Sequence, residues 1–459
     1  MSHYENTNAP AANWWKTFQD PELEKLIREA ASENLSLQIE TLRVREARYQ
    51  RNIMGGYLLP TIDADAGYLR AYGSKNVTLP LGKGGGGDPP DPAGLDANDG
   101  TFDNELTVLG KGGFPGVWSD LYQAGFDATW EIDVFGGIRR RLQAANAQMQ
   151  AEIETRRNFM ITLFAEVARD YLELRGTQER LAIARNNLAV AKEVWQLTVS
   201  ERKSGLAAGL QVTQAAAEMA ATSATIPPLV AQFRELAHAL SILLGRQPNA
   251  LGAELDTAKP LPMTPPTVPV GLPSQLLERR PDIRAAERQL AAATADIGVA
   301  EADLFPKFAL NGGSMGLDAS TAGSVFDGSS RYFMVSPTVT WRVFDAGRIL
   351  NNIKLRKASQ REALVQYQDT ILTALQDVED ALTLYSTGQT RRAELKEEVN
   401  QSQISLALAK QQYQHGLSSF LNVLQAEQAL FKAQEDLAQS DQSVSTDLVA
   451  LYKALGGGW

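Results

Sequence analysis

Tyr122-Gln123-Ala124-Gly125-Phe126-Asp127-Ala128-Thr129-Trp130-Glu131-Ile132-Asp133 alternates between apolar and polar residues, and after Val134-Phe135-Gly136 it gives way to a run without proline from Gly137 to Lys203. A period of two sets Tyr122, Ala124, Phe126, Ala128, Trp130 and Ile132 on one face of a strand. Gln123, Gly125, Asp127, Thr129, Glu131 and Asp133 fall on the other. The run that follows is 67 residues. As a helix rising 1.5 Å per residue it reaches about 100 Å, longer than a globular domain is wide. A strand that feeds so long a helix sets the terms for the rest of the chain.

The same junction occurs twice. An offset of 211 residues pairs Trp130 with Trp341, Gly136 with Gly347, Ile138 with Ile349 and Val167 with Val378. It goes on to pair Gly205-Leu206 with Gly416-Leu417, Leu210 with Leu421, Gln214-Ala215 with Gln425-Ala426, and Leu244-Gly245 with Leu455-Gly456. A second offset, 246, pairs Leu59-Pro60 with Phe305-Pro306. The chain is therefore a tandem repeat. Each half reads helix, strand pair, long helix, sharp turn, helix.

Arg348 to Gln414 is the second proline-free run, again of 67 residues. Apolar residues return every seven positions at Met160, Val167, Leu174, Leu181, Leu188 and Trp195, and at Leu364, Ile371, Val378, Tyr385, Val399 and Leu406, skipping Arg392. Such a repeat predicts left-handed supercoiling against neighbouring helices. The predicted partners are shorter: Pro21–Tyr57 with Leu210–Gly245 in the first half, and Ser274–Leu304 with Leu421–Leu455 in the second. Pro227-Pro228 should kink the first return helix, and the second has no such proline.

The predicted strands are Thr61–Tyr72, Tyr122–Asp133, Lys307–Ser320 and Phe333–Val343, with Phe333, Val335, Pro337, Val339, Trp341 and Val343 on the apolar face of the last. Two readings of them stand side by side. The apolar faces suit an ordinary sheet packed on a soluble core. They equally suit a lipid-facing wall with a wet lumen, aromatic at the strand ends. A membrane barrel needs about eight strands, so four per chain would oblige several chains to share one. The long glycine-rich loop from Ser74 to Trp118 and the short one around Thr321–Ser330 fit the outer side of such a wall.

Composition narrows the function. Hydrophobic residues make up 44% and no stretch reaches the length of a spanning helix, so a crossing of the membrane would have to be by strands. A net charge of −10 leaves no basic face for nucleic acid. With no cysteine there is no disulfide, thiolate metal site or cysteine nucleophile, and a lipid anchor on an N-terminal cysteine would not show in this sequence. Met1–Ala12 is polar, which predicts either a cytoplasmic protein or an export segment outside the sequence shown.

His3, His238 and His415 have no ligand-like spacing, so no metal is expected. Lys83-Gly84-Gly85-Gly86-Gly87 lacks the ending of a phosphate loop. Asp96, Asn98, Asp99 and Gly100 place the glycine one position early for a calcium loop. No cofactor and no enzymatic activity are expected.

Several stretches carry a family resemblance. They are Trp14-Trp15, Phe18 and Asp20-Pro21; Val270-Gly271-Leu272-Pro273-Ser274 with Arg279-Arg280-Pro281-Asp282-Ile283; the two strand-to-helix junctions; and the ending Leu451-Tyr452-Lys453-Ala454-Leu455-Gly456. The chain resembles the outer-membrane efflux protein family, the TolC-like exit ducts, and within it the members serving resistance-nodulation-division pumps. The likeness covers all but the glycine-rich loop.

What it implies is an α+β membrane channel: a homotrimer whose twelve-stranded β-barrel, four strands per chain, is continued by a long α-helical barrel, with two tandem structural repeats per chain. The organisation expected is 1–20 as an equatorial N-terminal segment, 21–57 as an ascending helix, 58–136 as a strand pair with an extracellular loop, and 137–245 as long helix, periplasmic tip and return helix. An equatorial linker follows at 246–273, then an ascending helix at 274–304, a strand pair at 305–347, and long helix, tip and return helix at 348–459. The expected place is the outer membrane, extending into the periplasm. The expected partners are two further copies, outer-membrane lipid, a periplasmic adaptor and an inner-membrane pump, and no nucleic acid.

By the same resemblance Gly205, Leu206, Gly416 and Leu417 should form the tip that meets the adaptor. Leu421 and Gln425 are four residues apart and so share a helix face. In the family that face lines the closed pore, with a leucine ring and commonly an aspartate ring. Here Gln425 and Asn422 stand where aspartates can occur, with Leu210 and Gln214 as the first-repeat equivalents. The gate expected is leucine packing plus an uncharged amide ring. Two other functions stay open on the residues alone: a duct for protein or toxin secretion, and a soluble coiled-coil scaffold.

Overall fold

The computed structural model describes residues 13–72, 118–205, 207–262, 264–265 and 279–457. The glycine-rich loop and Leu206 lie outside the described residues. The chain divides into two units, one of residues 1–51, 143–295 and 356–459, the other of residues 52–142 and 296–355.

The second unit holds the sheet. Strands β1 (Thr61–Tyr72), β2 (Trp118–Ile132), β3 (Lys307–Ala319) and β4 (Arg331–Thr340) pair antiparallel in chain order, so β1 and β4 are each paired on one side. The register stacks like on like: Ala64 opposite Phe126, Phe126 opposite Met315, Met315 opposite Phe333. Asp63 opposite Asp127 and Asp65 opposite Gly125 belong to the other face. The apolar face is left exposed at Ile62, Phe126, Met315, Phe333, Val335 and Val339 rather than packed against a core. An uncovered apolar sheet face of this kind marks an interaction surface, not a solvated one.

Strand β3 keeps its apolar residues on one face only through an irregularity. Asn311 pairs with Ser336 but Ser314 pairs with Met334, a bulge that shifts the register by one. Phe308 and Leu310 before it and Met315 and Leu317 after it thus share a face although their numbers change parity. Across the sheet Gly125 and Gly316 are opposed so closely that a Cβ on Gly316 would meet the Gly125 Cα at 2.7 Å. The Tyr332 ring lies over this pair, and its hydroxyl accepts from Gln123 Nε2 at 3.1 Å. The alternation predicted as far as Val343 stops earlier, since β4 ends at Thr340.

The first unit is helical. The ascending helix expected over Pro21–Tyr57 is two helices, α1 (Pro21–Glu33) and α2 (Leu35–Gly56). Asn34 breaks them: its Oδ1 accepts from Leu37 N at 2.8 Å, an N-cap for α2, and its Nδ2 donates to the Leu243 carbonyl at 2.8 Å. The long helix α3 spans Gly137–Lys203 and α7 spans Arg348–Gln414. Between them come α4 (Gly209–Ala224), α5 (Ile226–Leu243) and α6 (Pro281–Ala302). The chain ends on α8 (Phe420–Ala454). The break between α4 and α5 falls at Thr225, just before Ile226-Pro227-Pro228, whereas α8 is unbroken.

Heptad residues Val167 and Leu174 are wholly buried, and Val378, Tyr385 and Leu406 nearly so. Arg392, the residue that interrupts the second heptad run, forms an ion pair with Asp441 of α8 at 2.5 Å. The main core gathers Trp14, Trp15, Phe18, Leu23, Leu26 and Ile27 against Phe164, Val167, Tyr171, Leu448, Leu451 and Tyr452. Trp14 stacks on Tyr452 at 5.3 Å, which fixes the start of the described chain to its end. No described helix is long and apolar enough to cross a membrane.

Candidate functional site

Each long helix ends in a glycine with positive φ. Gly205 has φ 76° and Gly416 has φ 71°. In the second turn Gly416 N donates to Tyr413 O and Leu417 N to Gln412 O, both at 2.9 Å, the paired bonds that close a helix with a left-handed residue. Neither glycine has any atom within 4 Å of a would-be Cβ, so the backbone angle alone selects glycine there. The side chain this turn presents is Leu417, 80% exposed.

The two turns are tied together. Tyr413 of α7 donates its hydroxyl to Glu201 Oε2 of α3 at 3.0 Å, and its ring meets Phe420 edge-on at 5.7 Å. Burial, reinforced by the Glu201 carboxylate, pushes the Tyr413 phenol up from its ordinary value. A small apolar cluster of Leu406, Val423 and Leu430, with Val399, Ala409, Tyr413 and Ala426 around it, zips α7 to α8 beyond the turn.

On α8 the outward face carries Leu421, Asn422 and Gln425, all exposed, while Val423, Leu424 and Glu427 are buried. Asn422 Nδ2 donates to Ser418 Oγ at 2.8 Å, which orients that amide toward the turn. Leu210 of α4 is exposed and Gln214 half-buried. The structure thus brings Leu421, Asn422 and Gln425 onto one face at one end of α8, beside Gly416 and Leu417. Among the described residues no group of three or more metal-ligating side chains is gathered for an ion. What this end of α8 presents outward is a patch of one leucine and two amides.

Sequence reasoning missed two buried arginines. Arg175, with a side chain 1% exposed, donates to Glu22 Oε2 at 2.8 Å, Gln178 Oε1 at 2.7 Å and the Thr257 carbonyl at 2.9 Å. It also lies over the Tyr171 ring at 5.0 Å. Arg280 donates to the carbonyl of Ala454 at 3.0 Å, at the end of α8, and to Asp282 Oδ2 and Asp377 Oδ2 at 2.7 and 2.9 Å. A Cβ on Gly456 would meet the Arg280 side chain at 3.1 Å. The Arg280-Pro281-Asp282 stretch and the Leu455-Gly456 ending are therefore two halves of one contact. The Pro281 that starts α6 was the available signal, since it marks a helix N-terminus where Arg280 is free to turn inward.

Residues 26–246 and 272–457 match the sequence model of the outer membrane efflux protein family. The pyoverdine export outer membrane protein OpmQ of Pseudomonas putida is 34% identical over 450 residues, which cover 98% of this chain and 89% of that protein. Outer membrane protein OprJ of Pseudomonas aeruginosa is 32% identical over 454 residues, covering 97% of this chain and 86% of that one. Among solved structures, the outer-membrane channel OprN superposes with a TM-score of 0.88 at 33% identity, covering 99% of this chain and 94% of that chain.

Proposed function

The chain belongs to the outer membrane efflux protein family, and from that premise we propose that three copies close one twelve-stranded barrel, continued by a helical barrel, that lets small toxic compounds out of the cell. The chain is an outer-membrane efflux channel component, set in the outer membrane and extending into the periplasm. The observation that supports the trimer is the sheet: among the described residues, four strands, two edges paired on one side only, and an exposed apolar face. Lipid tolerates no open sheet edge, so β1 of one copy pairs with β4 of the next until the ring closes.

In this reading Gly205, Leu206, Gly416 and Leu417 meet a periplasmic adaptor that couples the duct to an inner-membrane resistance-nodulation-division pump. Leu421, Asn422 and Gln425, with Leu210 and Gln214, face the closing pore. The duct is passive and draws its direction from the pump. Mass measurement in detergent tests the assembly. A trimer is expected, and a stable folded monomer overturns it.

A further inference from the structure

Glu427 is wholly buried within a single copy, and neither carboxyl oxygen has a hydrogen-bond partner. A neighbouring copy cannot supply one to a group already out of reach. The residue lies on the same face of α8 as Val423 and Leu430, four and three residues away, and those two pack with Leu406 of α7. Glu427 is therefore a polar residue in the apolar seam of the second hairpin. Gln434 and Asp441 follow it at heptad spacing. Their counterparts in the first repeat are Ala216, Ser223 and Val230, so the first hairpin carries no ionisable group at any of the three.

An unpartnered carboxylate in such a seam is costly, and the group avoids the cost by keeping its proton. Burial holds the Glu427 carboxyl above its ordinary range; Lys410 of α7 pulls the other way without winning, and Glu218 of α4 pushes it higher still. Glu218 is itself held by Gln428 Nε2 at 2.5 Å.

We propose that Glu427 is a proton-held latch: protonated, it lets α7 and α8 zip beside the gate; ionised, with its proton released to water, it drives that seam open. The latch rests on the reading of Leu421 and Gln425 as the gate, since they lie on the same helix within two turns. The sign follows from linkage. The zipped hairpin is most stable below the ordinary glutamate pKa of about 4.3 and loses stability as pH rises from there through the raised value. Acid closes the duct and neutral pH loosens it.

The test uses the full chain in planar bilayers, with the tip side stepped from about pH 5 to about pH 8. Wild-type open probability should rise with pH, by at most about tenfold per pH unit for each carboxyl that titrates. Glu427→Gln keeps the shape and cannot ionise, and Glu427→Leu fills the seam; both should stay closed with a flat profile. A wild-type slope in Glu427→Gln overturns the latch. Thermal melting of the same preparations gives a readout independent of conductance: the wild type should melt lower as pH rises and Glu427→Gln should not. Silence of both proteins in the bilayer would count against the duct, while the melting difference still supports the latch, and an identical pH dependence of melting overturns it.

Discussion

The indole N–H of Trp130 donates to the carbonyl oxygen of Leu58 across 3.0 Å. Its repeat counterpart Trp341 makes the same bond to Leu304 at 3.1 Å. Each carbonyl lies just before the Leu59-Pro60 or Phe305-Pro306 break, so each indole ties the end of an ascending helix to the junction that launches a long one. Phe135 stacks on Phe305 at 4.5 Å and links the first junction to the second of these breaks. Trp130→Phe or Trp341→Phe should each cost about 0.5–1.5 kcal/mol, the net worth of one hydrogen bond. Melting in detergent should show the two losses adding to within about 0.5 kcal/mol, because the bonds share no partner.

Leu421→Ala should raise the open probability in planar bilayers, since the exposed leucine is the large apolar side chain that α8 sets on its outward face beside the amides. Added divalent cations should scarcely block the wild type, because amides offer no charge to bind. Strong block from the tip side would show that another group lines the ring.

Leu417→Asp should abolish efflux in cells while leaving assembly intact, because the side chain is exposed and supports no packing. Retained efflux would move the adaptor contact elsewhere. At the neighbouring position Gly416→Ala should cost about 1 kcal/mol through its positive φ, and Gly416→Asn, which tolerates that conformation, should cost less. Melting temperatures in detergent would rank the three.

Arg175→Ala should be the most damaging of these changes. It leaves Glu22, Gln178 and the Thr257 carbonyl without their shared donor in a dry site. Breaking a buried pair by removing one partner costs about 3–5 kcal/mol. Yield and melting temperature should fall together, and limited proteolysis should open the segment around Thr257 first.

Long-range order in this chain is legible because it rests on period and absence. Two proline-free runs, a heptad and strict alternation are one-dimensional signals, and duplication writes each of them twice. What the residues could not disclose depends on position in space. Asn34 reads as one polar residue among many on a helix, until Leu243 arrives to take its amide. The bulge in β3 was signalled only by Gly312-Gly313, which weakens a strand without saying which way its register slips. Arg175 and Glu427 occur at helical spacing among other charged residue types, and nothing local separates a buried one from a solvated one. The proposed tip and gate residues were picked out by the family resemblance and by the repeat, which aligns Gly205 with Gly416 and Leu210 with Leu421.

The unbroken course of α8 has a mechanical consequence. Its far end is clamped, by Tyr452 against Trp14 and by Arg280 on the Ala454 carbonyl. Its 35 residues make a rod of about 50 Å with no joint. A force applied at Leu421 therefore cannot be absorbed along the way, and the rod swings as a lever about its clamp. The first hairpin has a joint at Thr225 and can yield there instead. Equal pushes on the two turns thus produce unequal travel, and the stiffer arm is the one that carries Asn422 and Gln425.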